Sequence, residues 1–234
     1  ADLIVAIIKL FEDLKNADND ILGVGVQSIL LVEDSVRYYS TYLPELYKLI
    51  LMQTREFLTE TLNEQQRKIR KRSRPKILLA TNLDDAMNMY AKYRTNLLGV
   101  ISDVGFNVHK DDSPDMEKKD AGVDFVKHIK EDDPLMPVLL QSSQDSIFSV
   151  AQDLGVGFLR KYSKTLMIQL YEYIKEEFAF GDFVFRDADR VEYGRAANLK
   201  ELEILMREVP ENILLANTSK NMLSKWFMAR GLFT

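Results

Sequence analysis

The sequence predicts an α/β fold: a doubly wound, five-stranded parallel sheet with an N-terminal helix, an extended first helix and a small C-terminal α+β appendage. Short apolar runs recur five times, and each is followed by a stretch with helical periodicity. The first run, Ile29-Leu-Leu-Val32, is apolar at every position, which is typical of a strand buried on both faces. Helical crossovers between such strands make the strands parallel, and the crossover connections are expected to be right-handed.

The predicted N-terminal helix, 3–14, is amphipathic. Its apolar residues, at i, i+3, i+4 and i+7 spacing, are Leu3, Ile4, Ile7, Ile8, Phe11 and Leu14. Its charged residues, expected on the solvent side, are Lys9, Glu12, Asp13 and Lys15. The apolar stripe predicts that one face of this helix is buried. The polar stretch 16–20 is expected to end the helix, and Gly23 and Gly25 mark the connection that follows.

The central part of the sequence alternates between strands and helices. The first strand, 29–32, stops at Glu33, and a very long helix is predicted over 36–72 because the stretch lacks Gly and has Pro44 only in its early turns. Further strands are predicted at 76–80, 97–102, 138–141 and 157–160. The matching helices are predicted at 84–93, 123–130, 147–154 and 166–178, with a polar loop at 107–119.

Beyond Gly181 the pattern changes to a predicted β-hairpin over 183–193 and two helices, one at 199–209 capped by Asn198 and one at 220–230. We therefore predict three parts, 1–27, 28–180 and 181–234. The first part can be interpreted as the end of an upstream domain. The last part, 181–234, is expected to be too small to form an independent core, so we predict that it docks on the main domain or on a neighbouring protein.

Composition and charge exclude several classes of function. The formal charge of −5 disfavours nucleic acid and anionic lipid as partners. The absence of cysteine excludes thiol catalysis and thiolate metal sites and fits a reducing compartment, so we predict a cytoplasmic protein. The sequence has no apolar run of membrane-spanning length and no leader peptide, and its start at Ala suggests an excised piece. The basic run 67–76 is interpreted as the solvated end of the long helix.

Polar residues finish four of the five predicted strands, and the carboxyl ends of parallel strands share one sheet edge. The first strand is followed by Glu33 and Asp34, the third by Asp103, the fourth by Ser142 and the fifth by Lys161. Three carboxylates at one edge repel one another unless a hard divalent cation, with Mg²⁺ the expected one, lies among them. A lysine and a hydroxyl beside them suit a phosphoryl group. Singly, each residue is equally a helix cap or a solvated turn residue; their joint occurrence favours one site.

In these stretches the chain resembles the receiver domain of two-component response regulators. The matching stretches, in the family's order, are Ile29-Leu-Leu-Val-Glu-Asp-Ser35, Gly99-Val-Ile-Ser-Asp103, Pro137-Val-Leu-Leu-Gln-Ser142 and Gly157-Phe-Leu-Arg-Lys161. The resemblance covers 28–179 and implies a flavodoxin-like sheet. It also implies that the chain is not an enzyme beyond its own phosphorylation and dephosphorylation.

The resemblance implies a role for each residue at the predicted sheet edge. Asp103 would be the phosphoacceptor and Asp34 a direct Mg²⁺ ligand, with Glu33 assisting through water and the Gly105 backbone carbonyl completing the protein's share of the metal shell. Two residues would form the switch, the Ser142 hydroxyl and the Phe158 ring, and Lys161 would pair with the phosphoryl group.

The implied partners are a histidine kinase or phosphotransfer protein and an effector in the same chain or a partner chain. Nucleic acid and membranes are not expected as partners, and a homodimer is allowed. The C-terminal stretches Gly181-Asp-Phe-Val-Phe-Arg186 and Trp226-Phe-Met-Ala-Arg230 resemble a segment that joins such receivers to regions like phosphoenolpyruvate synthase or pyruvate-phosphate dikinase. This resemblance suggests an enzyme of that kind as effector.

The chain also departs from the family pattern. Tyr162 stands where the family usually has Pro, Glu33 replaces the commoner Asp, and both the first helix and the loop after Asp103 are longer than usual. These departures leave open a docking or dimerisation module that works without phosphorylation. A phosphatase of the haloacid-dehalogenase type is disfavoured because Asp34 and Val36 lack the paired-aspartate spacing of its first strand.

Overall fold

The central sheet has five parallel strands in the order β2-β1-β3-β4-β5. They are β1 Ser28–Val32, β2 Lys76–Ala80, β3 Leu97–Asp103, β4 Val138–Ser142 and β5 Gly157–Arg160. The structure is a computed structural model that describes residues 2–59, 73–187, 189, 191–219 and 222–232. This strand order is that of the flavodoxin-like doubly wound sheet, so the predicted fold class is confirmed.

Helices cover both faces of the sheet. Before the appendage they are α1 Asp2–Ala17, α2 Val36–Thr59, α3 Leu83–Tyr93, α4 Ala121–Asp132, α5 Ser146–Asp153 and α6 Leu166–Glu177. The core over one face takes residues from α3, α4 and α5, and the core over the other takes them from α1, α2 and α6. Successive strand residues such as Leu30 and Leu31 enter opposite cores, because side chains alternate across a strand.

The long second helix is confirmed as far as Thr59. The rest of the predicted helix, 60–72, lies outside the described residues, as does most of the basic run. Arg74 and Lys76, which belong to that run, are not solvated: their side chains are 11% and 10% exposed. Within the described ranges, no helix is both long and apolar enough to cross a membrane.

The N-terminal helix is oriented differently from the prediction. The polar stretch does not end it, because α1 runs to Ala17 and passes into a π-helical turn, Asp18–Gly23. The apolar stripe is exposed, and the face that packs on the domain consists of Ala6, Leu10, Asp13 and Ala17. Small residues there let the helix lie close to its neighbours, and Asp13, predicted to face solvent, is fully buried.

A polar network around the Asp13 carboxylate attaches α1 to the domain. Its Oδ2 atom accepts hydrogen bonds from the Tyr47 hydroxyl at 2.9 Å and from the Ile77 backbone N–H at 3.1 Å. Arg74 donates to both carboxylate oxygens, and Lys76 Nζ lies 3.6 Å from Oδ1. The buried carboxylate is therefore paired and hydrogen-bonded, which is the condition for keeping a charge inside a protein.

We expect Asp13→Ala to lower the free energy of unfolding by about 3 kcal/mol, because removing one member of a buried ion pair leaves its partner, Arg74, uncompensated. For a chain of this size the thermal midpoint should fall by about 6–12 °C. The matched control is Glu12→Ala, next to it on α1, whose ion pair with Lys9 is exposed, and it should leave the midpoint unchanged. Equal midpoints for the two variants would mean that the network does not anchor α1.

The appendage has one more helix than predicted. It contains a hairpin of β6 Phe183–Arg186 and β7 Glu192–Ala196, followed by α7 Leu199–Glu208, α8 Glu211–Thr218 and α9 Met222–Ala229. The second strand extends past the predicted end of the hairpin at 193, and α8, which has Pro210 at its N-cap, was not predicted. Asn198 caps α7 as predicted.

The appendage has a small core of its own and also contacts the main domain. The core gathers Phe183, Phe185, Leu202, Ile213 and Trp226, among others. The Trp226 indole N–H donates to the Gly181 carbonyl at 3.0 Å, and Arg230 donates to the carbonyls of Ala179 and Gly181 at 3.0 and 2.7 Å. These contacts hold α9 against the chain segment that leaves α6.

Candidate functional site

Three of the strand ends converge on the ammonium group of Lys161. Its Nζ atom lies 2.8 Å from Oε2 of Glu33, after β1, and 2.5 Å from Oδ2 of Asp103, at the end of β3. Lys161 follows β5, so residues 33, 103 and 161 meet across the sheet edge. The side chain of Lys161 is 6% exposed, and that of Glu33 is 1% exposed. This is therefore a largely dehydrated ion-pair cluster.

The same edge gathers the carboxylates that the sequence nominated for a cation. Glu33, Asp34 and Asp103 each offer an oxygen, and these atoms all lie within 4.8 Å of one another. Oxygen-only ligands at this separation fit a hard divalent cation such as Mg²⁺. A Cβ added to Gly105 would lie 2.3 Å from Oε1 of Glu117, so a fourth carboxylate reaches the loop that carries the nominated Gly105 carbonyl. The donor set present therefore fits the cation.

The carboxylates at this edge hold more negative charge than Lys161 offsets. Burial, and then the charge of Asp103, raises the pKa of Glu33 to about 7 despite the contact with Lys161. Burial likewise raises the pKa of Asp34, followed by the charges of Asp103 and Glu117. Burial opposes the charged form of Lys161, but Asp103 and Glu33 outweigh it and raise the pKa of the ammonium group. A further cation at this edge would be electrostatically favourable.

Backbone hydrogen bonds fix the positions of the cluster. The Glu33 N–H donates to the Ala80 carbonyl at 3.0 Å, which continues the pairing of β1 with β2. The second oxygen of Asp103, Oδ1, accepts from the Val104 N–H at 2.7 Å, so this side chain is held at both oxygens. The Lys161 N–H donates to the Ser142 carbonyl at 2.8 Å, which aligns the ends of β4 and β5.

The two nominated switch residues are not part of the ion-pair cluster. Ser142 is buried at the end of β4, and its Oγ accepts a hydrogen bond from the Gln144 N–H at 3.1 Å. Phe158 is half-buried on β5, with its ring edge-to-face against Phe148 of α5 at 5.9 Å. The structure therefore brings together Glu33, Asp34, Asp103 and Lys161, places Ser142 beside them through the backbone, and places Phe158 in the packing between β5 and α5.

Two tyrosines of α2 belong to the site, and neither was among the site residues predicted from the sequence. Lys161 Nζ lies 4.1 Å from the centroid of the Tyr38 ring, a cation–π contact. The hydroxyl of Tyr42 is buried and has no hydrogen-bond partner among the described residues. Burial raises the pKa of Tyr42, as do the charges of Glu33 and Asp103, so this hydroxyl lies in their field. Residues 38 and 42 are spaced by four along one face of α2, which begins two residues after Asp34, and that spacing was visible in the sequence.

Tyr162, the departure after the lysine, lies over the site. Its φ of 69° is in the left-handed region, which Pro cannot adopt and which is uncommon for any residue with a Cβ. The exposed ring meets Tyr38 edge-to-face at 5.7 Å. The local backbone after Lys161 therefore differs from that of a chain with Pro, as the sequence suggested, and Tyr162 packs on the ring of Tyr38, which lies over the lysine.

Gly122 sets how closely α4 approaches the end of β3. A Cβ at this position would lie 2.0 Å from the Asp103 carbonyl oxygen, and the Gly122 N–H donates to the Val104 carbonyl at 2.8 Å.

We expect Gly122→Ala to destabilise the fold by about 1–3 kcal/mol, because a backbone atom cannot give way as a side chain can. Thermal unfolding measures this, with Gly23→Ala as control, where a Cβ would meet nothing closer than 3.9 Å. A Gly122→Ala variant with the thermal midpoint of the wild type would contradict the close approach of α4 to the end of β3.

Comparison with solved structures finds receiver domains. A response regulator receiver domain protein from Clostridium thermocellum is 18% identical, with 65% of this chain and 94% of that chain covered at a TM-score of 0.42. The receiver domain of NtrX from Brucella abortus is 17% identical, with 64% and 99% covered at a TM-score of 0.36. A LuxR-family two-component response regulator from Aurantimonas is 17% identical, with 78% and 97% covered at a TM-score of 0.40.

No protein-family model matches the sequence, and no curated protein matches it. The solved structures are similar at low identity, so their functions do not transfer to this chain by similarity alone. The strand order itself gives the fold, a flavodoxin-like doubly wound sheet. The function of the chain has to be inferred from the chemistry of the sheet edge.

Proposed function

We propose that the chain is a signal receiver that accepts a phosphoryl group on Asp103. The observation that carries this proposal is the position of the Lys161 ammonium, 2.5 Å from Asp103 and 2.8 Å from Glu33, at an edge where three carboxylates lie within 4.8 Å of one another. A lysine held against the Asp103 carboxylate, whose side chain is 14% exposed, is suited to neutralise a group transferred to that carboxylate. Glu33 is buried, so Asp103 is the better nucleophile of the two.

In the proposed reaction an oxygen of the Asp103 carboxylate forms a bond to phosphorus. The bond from phosphorus to the imidazole nitrogen of a donor phosphohistidine breaks, and its electron pair stays on that nitrogen. Lys161 then exchanges its contact with the carboxylate for one with the new phosphoryl oxygens. A histidine kinase or a phosphotransfer protein is the proposed donor.

Three side chains and one carbonyl would hold the cation that the reaction needs. We propose that Asp34 and Asp103 bind Mg²⁺ directly, that Glu33 assists through water, and that the Gly105 carbonyl completes the protein's ligands. Bound Mg²⁺ would supply positive charge against the carboxylates and the phosphoryl oxygens. Tyr42 is placed to donate its free hydroxyl toward the acids, since burial among charges leaves it neutral.

The proposed readout is a repacking of β4 and β5. Ser142 would give up its contact with the Gln144 N–H and donate its hydroxyl to the new phosphoryl oxygens. Phe158, which contacts Phe148, would change rotamer in the space that this movement opens. We further propose a cytoplasmic location, on the absence of cysteine, and an effector resembling phosphoenolpyruvate synthase, which rests on sequence resemblance in the appendage alone.

Beryllofluoride, a stable mimic of a phosphoryl group on a carboxylate, tests the proposal in solution. With Mg²⁺ present it should raise the thermal midpoint of the wild-type chain and of Asp153→Asn, a change of an exposed carboxylate on α5. It should have no effect on Asp103→Asn. A midpoint that does not respond to beryllofluoride and Mg²⁺ in the wild type would refute the phosphoryl-accepting function.

The aromatic pair over the lysine favours a second candidate, a docking module that works without phosphorylation. Tyr38 lies over Lys161 and Tyr162 packs against Tyr38, and the lysine already bridges Glu33 and Asp103. This candidate expects partner binding or self-association to be the same in wild type and Asp103→Asn. A change in either property on beryllofluoride binding would exclude it.

A further inference from the structure

The outer side of α1 carries a continuous apolar face. Its members, defined here as the α1 face, are Leu3, Ile4, Ile7, Ile8, Phe11 and Leu14. Each is between 38% and 69% exposed, with Phe11 the most exposed. Six large side chains exposed to this degree present roughly 600 Å² of apolar surface, the upper end for the largest patch on a typical monomer.

The spacing within this face is that of a helix-pairing seam. Ile4, Ile7, Phe11 and Leu14 follow one another at intervals of three, four and three residues, the a and d positions of a heptad pattern. Leu3 and Ile8 flank the seam on its two sides. The Asp13 network already holds α1 against the domain through a different face of the helix. Pairing with a partner would therefore not have to offset the free energy of forming the helix.

The four seam positions carry no charge, and Lys15, next to Leu14, takes the flanking position that Ile8 takes one heptad earlier. Lys9 and Glu12 pair with each other at 2.6 Å on the side away from the seam, and Asp13 is buried against the domain. An uncharged seam offers nothing to select a charged partner, and its matched apolar positions are complementary to a copy of themselves. This is the requirement of an isologous two-fold interface, in which the same patch meets itself.

We infer that α1 is a homodimerisation helix and that its occupant is the α1 face of a second copy of this chain. Two such faces would bury on the order of 1,200 Å² in total, the lower bound for a specific and stable interface. The face lies on a helix outside the Asp103 site, so this inference does not depend on phosphoryl transfer.

Sedimentation of the 234-residue chain tests the inference. The wild type should be a dimer, and Phe11→Glu should raise its dissociation constant at least about 100-fold, because a carboxylate at the centre of the seam loses its water in both copies. Phe11 is 69% exposed, so the variant should remain a folded monomer that unfolds cooperatively at the midpoint of the dissociated wild type. The matched control, Leu215→Glu, places the same charge at a 60% exposed leucine of α8 and should leave the dimer intact.

Cysteine crosslinking locates the contact independently, because the sequence contains no cysteine. Parallel pairing gives a disulfide dimer of Ile4→Cys alone, whereas antiparallel pairing gives one only when Ile4→Cys and Leu14→Cys are mixed. Either pattern supports the inference. A monomeric wild type, a dimer that Phe11→Glu leaves unchanged, or the absence of both crosslinks would overturn it and assign the face to a different occupant.

Discussion

In Asp103→Asn we expect phosphoryl incorporation from acetyl phosphate to fall more than about 1,000-fold, the scale of loss when a nucleophile is removed. The amide keeps the shape of the side chain and can still accept from the Val104 N–H, but it lacks the charge that Lys161 faces at 2.5 Å. The fold should persist, because the change relieves repulsion among carboxylates that lie within 4.8 Å of one another. Radiolabel retained on the protein measures the incorporation.

Asp153→Asn again serves as the control for this experiment, since it removes one exposed carboxylate and should incorporate label as the wild type does. Label that persists on Asp103→Asn would show that another side chain accepts the phosphoryl group. Glu33 would then be the first candidate, because it contacts the same ammonium group.

The second large effect is expected for Lys161→Met. Without divalent cations this change should lower the free energy of unfolding by about 3 kcal/mol, because Glu33 and Asp103 lose the cation that both of them contact. The thermal midpoint should then fall by about 6–12 °C. Added Mg²⁺ should recover more of the midpoint in the variant than it adds to the wild type, since the variant has no other cation at that edge.

Lys164→Met, which removes an exposed lysine three residues later, should leave both the midpoint and its response to Mg²⁺ unchanged. An Lys161→Met variant as stable as the wild type would mean that the carboxylates do not depend on the ammonium group. A midpoint that stays insensitive to Mg²⁺ in the variant would count against a cation site at this edge.

The sheet could be predicted from the sequence because its strands are buried on both faces. The run 29–32 is apolar throughout and is followed by Glu33 and Asp34, so its existence and its end are both visible in the residues. Strand ends in turn nominate the residues at the carboxyl edge, which is why Glu33, Asp34, Asp103 and Lys161 could be chosen before any geometry was known. Their roles in phosphoryl transfer stay predictions.

The orientation of α1 could not be predicted in the same way. Periodicity finds an apolar face and assumes that it is buried in the same chain, whereas here Asp13 and two alanines face the domain and the apolar stripe faces out. A single buried carboxylate has no sequence pattern, because its partners Tyr47, Arg74 and Ile77 lie 34, 61 and 64 residues away.

Side chains that reach the site from outside the strand ends were also missed. Glu117 approaches from the long loop after β3, and Tyr38 lies over Lys161 from α2. The position of this loop depends on an antiparallel β-bridge between Phe106 and Lys118, and no local residue pattern predicts that bridge. Tyr38 and Tyr42, by contrast, lie four residues apart in the first turns of the helix that follows Asp34, so their shared face could be read from the sequence.

The most direct test of the account is the identity of the residue that carries the phosphoryl group. Wild-type chain treated with acetyl phosphate and Mg²⁺ is reduced with borohydride, which converts an aspartyl phosphate into homoserine, and its peptides are mapped by mass. We predict that the converted residue is position 103 and that none is found when Mg²⁺ is removed. Conversion at any other position, or no conversion with Mg²⁺ present, would contradict the proposal that this sheet edge accepts a phosphoryl group.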